Sequence, residues 1–70
     1  MKGGQIKVMV NDEAVDVDER TTVADLLVKL GISEKGIAIA VDWAVLPRSE
    51  WHLTLSDGAK VEVVTAVQGG

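Results

Sequence analysis

Cysteine is absent from all 70 residues, which removes disulfide cross-links, thiolate nucleophiles and sulfur ligands for a metal from the available chemistry. Phenylalanine and tyrosine are absent as well, leaving Trp43 and Trp51 as packing or rim residues. Two indoles without a basic patch make a poor surface for stacking nucleic-acid bases. His52 is the only histidine. A hydrolytic triad needs a base oriented by a third group, and a transition-metal site needs several nitrogen or sulfur ligands, so neither assembles around His52, which reads as a structural or surface residue. The seven basic side chains are scattered, so the electrostatic footprint of a nucleic-acid binder is missing. No apolar run approaches the length of a membrane span, and Met1-Lys2-Gly3-Gly4 begins no secretory signal, so the expected location is cytoplasmic with no membrane contact. Gly3-Gly4 is followed by no helix and is no phosphate loop. Asp16 and Asp18 share a strand face, but nothing in the pattern builds a pocket around them.

What remains is a small aliphatic core. The apolar fraction is 47%, drawn mainly from Val, Ile, Leu and Ala, and a chain of this size buries only about 60% of the surface its unfolded form exposes. That leaves little room for an internal active-site cleft. Eleven acids against seven bases give a net charge of -4, which favours partners with a basic surface. The expectation is one domain over residues 1–70, with a flexible extension at 1–4 and a flexible tail at 67–70.

Gln5 to Val10 alternates, with Ile6, Val8 and Val10 on one side, the period-2 pattern of a half-buried strand. Asn11-Asp12-Glu13 is turn chemistry, since Asn and Asp tolerate left-handed backbone. Ala14 to Val17 resumes the alternation, so the two runs form a hairpin whose outer face, from Asp12 to Glu19, is acidic. Thr22 then stands as a helix N-cap with Asp25 three residues on in the capping-box position, and Gly31 is placed for a left-handed C-cap. Between them Val23, Leu26, Leu27 and Leu30 fall at i, i+3, i+4 and i+7, one apolar stripe for covering a sheet. All three leucines are expected to be buried, against Val8, Val10, Ile39, Val61 and Val63. Ile37 to Val41 alternates large with small, placing Ile37, Ile39 and Val41 inward and Ala38 and Ala40 outward. Asp42-Trp43 turns into a short strand, Ala44 to Leu46, which Pro47 ends by removing a ladder donor. Arg48 to His52 reads as irregular or a single helical turn, followed by Leu53-Thr54-Leu55 and an Asp57-Gly58 turn into the last strand.

Five strands and one helix with a single apolar stripe give an α+β fold of two layers, the helix lying across one face of a mixed sheet. That architecture is the β-grasp, the ubiquitin-like fold. Its last strand runs out into Gln68-Gly69-Gly70. Two terminal glycines occur by chance in about one chain in two hundred, and a Val-rich strand gains no stability from ending in them. They make either a frayed end with no role or a thin arm that can thread a narrow channel and present the Gly70 carboxylate to another protein. Val61, Val63, Thr65 and Val67 take the core side of this strand. Lys60, Glu62, Val64, Ala66 and Gln68 take the other, so that Val64 and Ala66, joined by Ala38 and Ala40, form an apolar docking patch beside the tail.

The series Asn11, Thr22-Val23-x-x-Leu26-Leu27, Ala38-x-Ala40-Val41, Val45-x-Pro47-Arg48-Ser49-Glu50-Trp51, Asp57-Gly58 and Gly69-Gly70 resembles the ThiS family of sulfur carriers in thiamine biosynthesis over residues 5–70. Asp42 stands where that family usually has Asn, and Ala59 where Asp commonly follows Asp-Gly. The resemblance implies a protein co-substrate with no catalytic residues, metal or bound cofactor of its own. It implies a ubiquitin-activating-type adenylyltransferase that uses ATP and Mg²⁺ on Gly70. A cysteine desulfurase would supply the sulfur that leaves a thiocarboxylate there, and thiazole synthase would receive it. Three other readings use the same chain differently: a ubiquitin-like covalent modifier, a sulfur carrier for molybdopterin or cysteine synthesis, and a non-covalent β-grasp adaptor that ignores Gly70.

Overall fold

The computed structural model describes residues 4–65. Strand β1 (Gln5–Val10) and strand β2 (Glu13–Asp18) are followed by helix α1 (Val23–Leu30), then β3 (Ile37–Val41), β4 (Ala44–Leu46), a 3-10 turn (Arg48–Glu50) and β5 (Lys60–Thr65). The five strands form one sheet in the order β2-β1-β5-β3-β4. β1 and β5 are parallel at its centre, and the remaining pairs are antiparallel. This is the β-grasp expected from the order of elements.

Local chemistry explains the joints. Asn11 and Asp12 both adopt positive φ (50° and 70°), as do Asp42 and Trp43 (52° and 72°), which makes each two-residue hairpin turn of the primed type whose twist matches the strands it joins. The helix begins with a full capping box, the Asp25 amide donating to Thr22 Oγ1 at 3.0 Å and the Thr22 amide to the Asp25 carboxylate at 3.2 Å. A further free amide of the first turn, that of Ala24, donates to the carbonyl of Trp51 at 3.1 Å. The other end closes with Gly31 at φ 71°. Its amide donates to Val28 and that of Ile32 to Leu27, the paired bonds of a Schellman ending.

The core gathers Val8, Val10 and Val17 from the hairpin, Val23, Leu26 and Leu27 from the helix, Ile39 from β3, Val61 from β5, and Trp51, Leu55 and Ala59 from the segment between β4 and β5. Two of the three helix leucines are therefore buried as expected. Leu30 is not: it remains 37% exposed. The Schellman ending accounts for this, because the chain doubles back at Gly31 and brings Ile32 against the core in its place.

Candidate functional site

β5 is the strand that leads to Gly70, and it lies in the middle of the sheet. On one side it is paired with β3 as far as Ile37 opposite Thr65. On the other, β1 stops at Val10, and Asn11 extends the ladder with its side chain. The Val63 amide donates to Asn11 Oδ1 at 2.9 Å, and Asn11 Nδ2 donates to the Val63 carbonyl. A turn residue 52 positions away thus holds β5 two residues before the strand ends, a role that sequence reading, which gave Asn11 only turn chemistry, missed.

The entry to β5 is held in the same way. Asp57 Oδ1 accepts from the Lys7 amide at 2.9 Å and the Gly58 amide donates to the Lys7 carbonyl at 2.7 Å, so the Asp57-Gly58 turn stands in for strand at the start of β1. Asp42 Oδ1 accepts from the Lys60 amide at 3.0 Å, while the Asp42 amide donates to the Lys60 carbonyl. This is an acceptor task that an Asn side-chain oxygen performs equally well, so Asp42 in place of the usual Asn keeps the contact.

The face of the sheet away from the helix is partly apolar. Val64 is 55% exposed and lies opposite Ala38, while Ala40 lies opposite Val45. Residues directly opposed across antiparallel strands point to the same face, so these four form one patch over β5, β3 and β4. Val45, 77% exposed, belongs to it and was missed as a patch residue. The signal was present, because a two-residue turn at Asp42-Trp43 pairs Val41 with Ala44 and hence Ala40 with Val45. Of the remaining tail and docking residues, Ala66, Gln68, Gly69 and Gly70 lie outside the described residues, as does the expected flexible tail at 67–70.

The acidic face of the first hairpin lies at the far edge of the sheet, on β2. Asp12, Glu13, Asp16, Asp18 and Glu19 are all exposed, with Asp16 paired to Lys7 at 3.3 Å. His52 is exposed. Among the described residues no group of three or more acidic or histidine side chains comes together in a way that would hold a metal ion, and no helix is long and apolar enough to cross a membrane.

The ThiS family model matches residues 3–70. The chain is 28% identical over 67 residues to the sulfur carrier protein ThiS of Escherichia coli K12, covering 93% of this chain and 100% of that one. It is 33% identical over 66 residues to an uncharacterised protein, ycf40, of Porphyra purpurea, with 93% of each covered. It is also 29% identical over 66 residues to a thiazole synthase of Paramagnetospirillum magneticum, of whose length it spans only 20%. Among solved structures, the thiamine biosynthesis protein ThiS of Geobacter metallireducens superposes with a TM-score of 0.77 at 28% identity, covering 93% of this chain and all of that one. With one β-grasp sheet, a central strand leading to Gly69-Gly70 and a family match that runs through both glycines, the chain belongs to the ThiS family.

Proposed function

We propose that the chain is a sulfur carrier of thiamine biosynthesis and that Gly70 is the residue that carries the sulfur. An α-carboxyl group with a pKa of roughly 3.5 is ionised at neutral pH and is a poor electrophile, so it must be activated. An adenylyltransferase of the ubiquitin-activating type joins it to AMP from ATP with Mg²⁺, releasing pyrophosphate. A persulfide supplied through a cysteine desulfurase displaces AMP. A thiol then cleaves the resulting acyl disulfide, leaving the thiocarboxylate on Gly70 and a disulfide on the enzyme. Thiazole synthase takes the sulfur and the carboxylate returns. ATP and Mg²⁺ serve the activating partner, and this chain acts as co-substrate.

The observation that carries this reading is the family match extending through Gly69-Gly70, on a fold whose central strand leads into them. The alignment of the same residues with one-fifth of a thiazole synthase supports thiazole synthase as a partner, since it shows a carrier-like segment within a chain of that name. Incubation with ATP, the adenylyltransferase and a sulfur donor should raise the intact mass by about 16 Da, the exchange of one oxygen for sulfur. Conjugates to lysine in place of that shift would indicate a covalent modifier. Full activity after a residue is appended to Gly70 would indicate a non-covalent adaptor.

A further inference from the structure

In the Pro47-Arg48-Ser49-Glu50-Trp51 segment, the Arg48 side chain reaches the loop that leads into β3, the strand paired with β5. Trp51 is 5% exposed, and its Nε1 donates to the Leu46 carbonyl at 3.0 Å. The guanidinium of Arg48 lies 4.7 Å from the centre of that fixed indole. From there it reaches 14 residues back along the chain, Nη2 donating to the backbone carbonyl of Glu34 and Nη1 standing 3.8 Å from Glu34 Oε1. The loop it meets, Ser33-Glu34-Lys35-Gly36, has no apolar side chain to anchor it and is exposed throughout. Its internal support is one bond, from the Lys35 amide to Ser33 Oγ at 3.2 Å. Among the described residues, Arg48 is the side chain that ties this loop to the rest of the domain. Ile37, which follows the loop directly, is paired with Thr65, the last described residue of β5.

We propose that Arg48 is a positioning residue for the activation of Gly70: stacked on Trp51, it fixes the 33–36 loop as a rigid rim beside the tail. This rests on the sulfur-carrier reading. The five residues beyond Thr65, fully extended, reach at most about 18 Å, so an enzyme working on Gly70 must close on the body of the carrier near that rim. A polar loop left free would be ordered only on binding, and that cost would fall on affinity. The exposed ion pair with the Glu34 carboxylate is the weaker part of the tether. The stronger part is the combination of indole stacking with a guanidinium bond to a carbonyl, which a lysine ammonium does not reproduce in the same geometry.

Pyrophosphate release by the adenylyltransferase, measured with ATP and Mg²⁺ across a range of concentrations of the full-length carrier, tests the proposal. Arg48→Ala is expected to raise KM for the carrier about tenfold with kcat changed less than about twofold, the pattern of a lost binding contribution. Arg48→Lys should recover only part of that rise. Glu34→Ala, which removes the carboxylate but keeps the carbonyl acceptor, should stay within about twofold of wild type. Amide exchange at Glu34, Lys35 and Gly36 should quicken in Arg48→Ala while that of the core amides does not. Wild-type KM in Arg48→Ala, or a loss that merely follows a falling folded fraction, would overturn the assignment. No pyrophosphate release from the wild-type chain would instead overturn the carrier reading, leaving the exchange measurement to decide whether Arg48 tethers the loop.

Discussion

Trp43 is the residue least suited to its own backbone. Of the four non-glycine residues with positive φ among those described, Asn11, Asp12 and Asp42 are types that tolerate the left-handed region, whereas Trp43, at φ 72°, is not. The residue is 74% exposed, so core packing does not hold it there, although Lys60 Nζ sits 5.1 Å from the centre of its ring. A left-handed non-glycine residue costs about 1–3 kcal/mol. Against this stand about 0.5 kcal/mol for an exposed cation-π contact and about 0.5–1 kcal/mol of extra chain entropy for glycine. Trp43→Gly is therefore expected to raise stability by about 0.5 kcal/mol in urea titration, the balance of those three terms. A clear loss would show that the Lys60 contact outweighs the backbone. Leu27 is the opposite case, fully buried at a site where sequence periodicity and structure agree. Leu27→Ala should cost about 2–5 kcal/mol, and a loss below about 0.5 kcal/mol, the level of a surface change, would mean that this helix face is not the core face.

At the scale of elements, the helix is specified mostly by its ends. The capping box of Thr22 and Asp25 and the glycine at position 31 set its limits, and Thr22→Ala should lower stability by about 1 kcal/mol, read as a lower thermal midpoint with the native spectrum retained. Such features are legible in the sequence because they are local: a cap, a period-2 run or an Asn-Asp turn is written within a few adjacent residues. What was not legible depends on distance along the chain. Leu30 fits the stripe, but the Schellman ending gives its place to Ile32. Val45 belongs to a strand of three residues, too short to show a period, and only the register with Ala40 sets its direction. The reach of Asn11 to Val63 and of Arg48 to Glu34 spans 52 and 14 residues, and no local pattern announces either bond. The elements of the fold were thus readable, while the contacts that hold β5 and the 33–36 loop required the assembled sheet.

In the whole molecule, the sheet order decides what lies on either side of β5. β5 lies between β1 and β3, so the acidic edge on β2 and the apolar patch shared with β3 and β4 flank it from opposite sides. Two glycines offer almost no surface for recognition, so a partner that selects this tail must read the body beside it, these flanks included. The patch is the better placed of the two. Val64 and Ala38 belong to it, and the pair lies one residue from Thr65, where the described strand ends, whereas β2 is separated from β5 by the whole of β1. Val64→Asp tests the choice. With Val64 more than half exposed, lost burial costs little, and the poor strand propensity of Asp limits the destabilisation to about 1 kcal/mol. In a docked complex the same carboxylate would be desolvated without a partner, at a cost of several kcal/mol. Binding to the two proposed partners, the adenylyltransferase and thiazole synthase, followed by calorimetry, should therefore weaken by more than tenfold, a change of about 1.4 kcal/mol, and by more than the fall in unfolding free energy. Wild-type affinity for both partners would show that the patch is ordinary surface and that docking lies elsewhere, with the acidic face from Asp12 to Glu19 the next surface to test.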